Sequence, residues 1–164
     1  MEFFEVICSR ASIREYQDKS INDEMLEKLV DAGRRAPTAR AIEPWEFVAV
    51  KNKNTLKTLG EIVVNGYFLK TAAAAIIIFS KNTKYYLEDS CAATENILLT
   101  AAALGLGACW IAGDKKDYAQ NIKQIFKAQD ELKLVSLISL GWPKVPVKQN
   151  KKRSLRDVLH WETF

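Results

Sequence analysis

The sequence predicts an α+β sandwich, with a mixed, mostly antiparallel sheet flanked by helices. Three observations lead there. Helical and strand patterns are interleaved without strict βαβ alternation. Residues Ala73 to Ser80 form a short apolar run containing Ile76-Ile77-Ile78-Phe79, which is β-branched and aromatic and reads as a buried strand. A long helical pattern follows from Tyr85 to Leu104, and its second half, Ile97 to Leu104, is apolar nearly all round. A helix of that kind must be buried on all sides, which is hard to arrange in a chain of 164 residues without help from a second subunit.

Each element follows from local pattern. Phe3 to Ser9 reads as a short helix. Ser20-Ile21-Asn22-Asp23 resembles a Ser-x-x-Asp helix start, and Met25, Leu26, Leu29, Val30, Ala32 and Gly33 keep a helical period until Pro37. Glu46 to Lys51 reads as a strand, and Asn54 to Glu61 as a short helix. Gly105 sits where a helix C-cap belongs. Ala108 to Ala112 is a strand, Lys116 to Lys127 a helix, and Leu132 to Gly141 a strand that Gly141-Trp142-Pro143 breaks. A short helical pattern spans Ser154 to His160 in a polar, basic tail.

Composition narrows the functional classes. The 164 residues suit one domain, 1–164, and 48% apolar with 27% charged is ordinary for globular proteins. The longest apolar stretch, Ala72 to Phe79, is far short of a membrane span. The N-terminus has no signal-peptide pattern. Cys8, Cys91 and Cys109 are odd in number and widely spaced, and His160 is the only histidine. That argues against a disulfide framework, a metal site or a Ser-His or Cys-His mechanism, and for the reducing cytoplasm. The cysteines read as small core residues. Net charge is only +4, but Lys144 to Arg156 contains six basic residues and no acidic one. Such a run suits a solvated face or a phosphate-bearing ligand. No nucleic-acid recognition module accompanies it.

Motifs give the sharper signals. Gly105-Leu106-Gly107 fails as a dinucleotide fingerprint, because Trp110 replaces the third glycine and helix precedes strand. In Arg10-Ala11-Ser12-Ile13-Arg14-Glu15-Tyr16, two arginines bracket a serine just after a helix, a set of donors suited to phosphate oxygens. Ala36-Pro37-Thr38-Ala39, followed by Glu43-Pro44-Trp45-Glu46-Phe47, is a loop of small residues leading into an aromatic strand.

Together with Glu95 to Leu99, Gly105 to Trp110, Leu140 to Pro143 and Lys151 to Leu155, these segments resemble, in order, the motifs of the nitroreductase family. The resemblance implies an FMN-dependent oxidoreductase that takes hydride from NADH or NADPH and reduces nitroaromatic, quinone or related acceptors by a ping-pong mechanism. The alternative is a non-catalytic FMN-binding or flavin-carrier protein. It also implies an intertwined homodimer with FMN at the subunit interface, the flavin rather than a side chain carrying the chemistry. By position, Arg10 and Ser12 would meet the phosphate end of FMN, with the Ala11 backbone beside them and Arg14 toward the pyrimidine. Pro37, Thr38, Ala39 and Ala41 would reach the flavin from the partner, and Lys151 and Arg153 would close on the phosphate. Ile111, Ala112 and Gly113 would pass the isoalloxazine, one backbone N–H facing N5. Ala41 stands where the family has Asn, and Glu43 where it has Gln. The long insertion of larger members is missing.

Overall fold

The computed structural model describes residues 2–164. The elements are α1 (Phe3–Ser9), α2 (Asp23–Gly33), β1 (Trp45–Val50), α3 (Lys53–Ile62), β2 (Ala74–Lys81), α4 (Tyr86–Ala103), β3 (Gly107–Ala112), α5 (Ala119–Ile125) and β4 (Leu132–Gly141). The four strands lie in the order β1-β2-β4-β3, and every ladder between them is antiparallel. The parallel component is one isolated bridge, Ser12 with Ala108.

Helices cover both faces of the sheet. Strand alternation explains the division: Ile77 and Phe79 of β2 turn to one side, Ile76 and Ile78 to the other. The first core gathers Leu56 and Leu59 of α3, Ile122 of α5 and Leu137 of β4. The second gathers Leu26 and Leu29 of α2, Ile97 and Ala101 of α4, and Ile138 of β4. The central strands β2 and β4 are therefore buried on both faces apart from Lys81 and Lys133, and apolar residues dominate both.

Several boundaries differ from the sequence reading. The α2 cap is Asn22, not Ser20: its side chain accepts the Met25 N–H at 2.9 Å, while Ile21 is buried. That helix ends at Gly33, four residues before Pro37. Helix α5 is shorter than expected, Ala119–Ile125, with Lys127 at positive φ just beyond its end. The tail helix shrinks to one 3-10 turn, Leu155–Asp157. Two further 3-10 turns, Ala39–Ala41 and Tyr67–Thr71, carry no sequence signal. Gly105, with φ of 75°, ends α4 as expected. Its N–H donates to Ala102 O at 3.0 Å and that of Leu106 to Ala101 O at 2.8 Å, a full Schellman motif.

Two burial expectations need correction. Cys109 is in the core, Cys91 is half-buried, and Cys8 is exposed on α1. In the second half of α4, Ile97, Leu98 and Ala101 are buried, but Leu99, Ala102 and Leu104 are only half-buried and Ala103 is exposed. One chain thus leaves part of that apolar surface open. No helix among the described residues is long and apolar enough to cross a membrane.

Candidate functional site

Arg10 follows the last turn of α1, and there the chain turns to run beside β3. The Ile13 N–H donates to Ala108 O at 2.9 Å, next to the Ser12–Ala108 bridge. Further on, Tyr16 bridges Pro143, and its hydroxyl lies 2.6 Å from both Ile13 O and Ser139 Oγ. Burial pushes the Tyr16 phenol well above its ordinary value, despite the Ser139 hydrogen bond. Two glycines admit this close packing. A Cβ on Gly107 would lie 2.7 Å from Ile13 Cγ2, and one on Gly141 would lie 2.5 Å from Tyr16 Cδ1.

The pinned segment forms one wall of a hollow of about 250 Å³. Arg10, Ala11, Ser12 and Arg14 line it on that side, and Val147, Lys148, Gln149, Asn150 and Lys152 on the other. Four cations and no carboxylate face it, so it favours an anion, and guanidinium groups and a hydroxyl suit phosphate oxygens best. The Gln149 amide donates to Arg10 O at 2.9 Å and to Ile7 O at 3.0 Å, tying the tail to the end of α1. Glu95, which does not line the hollow, approaches Arg10 with 3.8 Å between Oε1 and Nε. The Arg14 guanidinium stands 5.7 Å from the Phe68 ring centre. Burial raises the Cys109 thiol, against the pull of Arg14 and Arg10, and keeps it protonated.

An apolar hollow of about 230 Å³ adjoins the basic one and shares Arg10, Ala11 and Val147 with it. Leu98, Ala102, Leu106 and Pro146 are among its other lining residues. A larger hollow, about 590 Å³ between α2 and β1, contains no residue of the motifs above. Its cations are already paired, Lys51 with Asp23 and Arg34 with Asp31.

The edge of β3 supplies a second feature. Gly113 N–H donates to Val135 O at 2.9 Å, so odd-numbered residues of β3 face β4 and even-numbered ones face outward. Ala112 N–H therefore points off the open edge of the sheet. The Tyr118 hydroxyl, raised by burial, donates to Ala112 O on that same side. Ile111 and Gly113 are buried and fix the strand end.

Not every expected residue joins this site. Lys151 and Arg153 do not line the hollow; Lys148 and Lys152 do. The Arg153 guanidinium instead donates to Asp157 O. A basic run without internal periodicity gave no way to choose between them. Pro37, Thr38, Ala39 and Ala41 lie apart in one chain. Their loop borders a separate hollow of about 40 Å³ with Thr83, Lys84, Tyr85 and Asp89. Arg40, Ala41 and Glu43 have φ of 58°, 52° and 49°, and such left-handed residues cost roughly 1–2 kcal/mol each. Asp89 Oδ1 accepts the Ala39 N–H at 3.0 Å and Thr38 Oγ1 the Glu43 N–H at 3.3 Å. Asp89 and Tyr118 were not visible as site residues in the sequence. Among the described residues, no group of three His, Cys, Asp or Glu is placed to hold a metal ion.

A sandwich with a basic hollow at its sheet edge presents the donor set of an anion site. The family described as "Putative TM nitroreductase" matches residues 2–163, and the chain belongs to the nitroreductase family. It is 35% identical to a "Putative NADH dehydrogenase/NAD(P)H nitroreductase" of Archaeoglobus fulgidus, over 87% of this chain and 86% of that one. A crystal structure described in the same words, from Bacteroides thetaiotaomicron, superposes with a TM-score of 0.94 at 26% identity, covering 99% of this chain and 98% of the other. An FMN-dependent nitroreductase from Clostridium difficile superposes with a TM-score of 0.90 at 29% identity, covering 98% and 99%.

Proposed function

We propose that this protein is an FMN-dependent oxidoreductase that takes hydride from NADH or NADPH and reduces small acceptors such as nitroaromatics or quinones. The observation that carries this reading is the hollow where Arg10, Arg14, Lys148 and Lys152 converge without a carboxylate. The names of its relatives support the donor and the cofactor.

FMN fits the donor set. Its phosphate is a dianion that matches the Arg10 guanidinium fork, two ammonium groups and the Ser12 hydroxyl. Bound FMN supplies the hydride chemistry, and the protein supplies binding, orientation and charge. Arg10, Ser12, Lys148 and Lys152 hold the phosphate, with the Ala11 backbone alongside. We assign to Lys148 and Lys152 the part expected of Lys151 and Arg153. Arg14 places a fixed cation toward the pyrimidine, where it stabilises negative charge. Ala112 is the strand residue whose N–H is available to N5. Donor and acceptor use the same open face in turn, which makes the kinetics ping-pong.

The reading requires a homodimer. In one chain the loop of Pro37, Thr38, Ala39 and Ala41 is absent from the hollow that Arg10 lines, and its Ala39 borders another, so a second copy supplies the loop. Exposed apolar side chains support that pairing: Phe3 and Phe4 on α1 are 67% and 76% exposed, and Trp161 in the tail is 79% exposed. The half-open end of α4 is a further such surface.

Anaerobic mixing of the FMN-loaded protein with NADH or NADPH tests the activity. Rapid bleaching of the bound flavin, followed by recovery on adding a quinone, is expected. Bleaching that never occurs leaves a flavin carrier, and failure to take up FMN removes the reading altogether.

A further inference from the structure

We propose that Asp89 is a positioning residue for the flavin site, holding loop 37–43 in the shape that the FMN bound across the interface requires. This rests on the function proposed above.

Asp89 lies in the first turn of α4 and is only 6% exposed. Its Oδ1 accepts the N–H of Ala39, fifty positions earlier in the chain, at 3.0 Å. That N–H opens the 3-10 turn Ala39–Ala41. Thr38, the residue placed to cap the turn, makes no cap bond to it; its hydroxyl serves Glu43 instead. The carboxylate from α4 is therefore a cap supplied by a distant element. The loop has reason to leave this shape without it, since Arg40, Ala41 and Glu43 are all non-glycine residues at positive φ.

The second oxygen gives independent support. Asp89 Oδ2 is buried without a hydrogen-bond partner, and so is Thr83 Oγ1. Both residues line the same hollow of about 40 Å³. A buried carboxylate oxygen left unpaired is costly. The α4 N-terminus offsets part of that cost. The tertiary bond Asp89 makes is the one to the loop, so holding the loop is what its burial accomplishes. Pro37, Thr38, Ala39 and Ala41 are the residues that reach FMN from the other subunit, so the populated fraction of this loop shape scales the apparent FMN affinity directly.

The test uses the full-length dimer, with amide exchange at Ala39 measured without FMN and FMN affinity measured by fluorescence quenching. In Asp89→Ala, Ala39 exchange should accelerate and the FMN Kd should rise, each about tenfold or more, while the dimer persists. Asp89→Asn keeps Oδ1 as acceptor and turns a donor toward Thr83, so both values should stay within about threefold of wild type. Asp89→Ser, too short to reach Ala39, takes the place of the alanine variant if that chain does not fold. Faster exchange with unchanged FMN affinity makes Asp89 merely structural and overturns the proposal. Unchanged exchange in the alanine variant, or an asparagine variant as impaired as the alanine one, overturns it too. Failure of the wild type to bind FMN strikes the proposed function, whereas the Ala39 exchange reports on Asp89 alone.

Discussion

The segment Arg10 to Tyr16 and the tail from Lys144 onward line opposite walls of one basic hollow, but different forces hold them. The first is stitched into the sheet by backbone bonds to Ala108 and by the buried Tyr16 hydroxyl. The second leaves the sheet after Lys144 N–H donates to Glu15 O at 3.0 Å. Beyond that, Gln149 ties it to α1, and every residue from 151 to 164 is exposed. A fixed wall can set the orientation of a ligand. A loosely held wall can close on it afterwards, and pays less in stability when mutated.

The largest expected effect lies on the fixed wall. Arg10→Ala should weaken FMN binding by about 1.5–3 kcal/mol, the worth of a charge-assisted contact, read as a ten- to hundredfold rise in Kd. Gly141→Ala forces a methyl against Tyr16 and should lower stability by about 1–3 kcal/mol in denaturant unfolding. An unchanged midpoint would mean that the segment is not pinned as described.

Tyr16→Phe leaves Ser139 and Ile13 O short of a partner and should cost about 1–2 kcal/mol. It also carries a pH signature. The folded phenol titrates above the unfolded one, so its contribution is intact below the model-peptide value of 10.0 and falls away as pH rises past it. Wild-type stability should therefore drop above about pH 10 more steeply than that of Tyr16→Phe.

The smallest effects lie on the tail. Lys152→Ala should raise the FMN Kd by about threefold to fivefold, an effect that shrinks in high salt, whereas Lys151→Ala should do nothing measurable. Equal effects of the two would erase the distinction drawn between them.

The same contrast marks what the sequence made legible. Elements fixed by apolar pattern were readable: β4 has the predicted bounds, Leu132–Gly141, and Gly105 caps α4 as expected. Residue type and order singled out Arg10, Ser12 and Arg14, which line one wall of the basic hollow. What escaped depends on tertiary contact. Asp89 matters through a bond to a residue fifty positions away, and Tyr118 through its reach back to Ala112. The positive φ values at Arg40, Ala41 and Glu43 fall on residues that do not advertise them, where glycine or asparagine would. Lys148 and Lys152 line the hollow and Lys151 does not, a difference that nothing in the basic run signals.

The most direct measurement is a crystal structure of the protein with FMN. The account predicts the phosphate in the hollow between residues 10–14 and 148–152, N5 within hydrogen-bond reach of Ala112 N–H, and loop 37–41 of a second copy against the flavin. FMN lying in the groove between α2 and β1, or bound by a single chain without that loop, would contradict it.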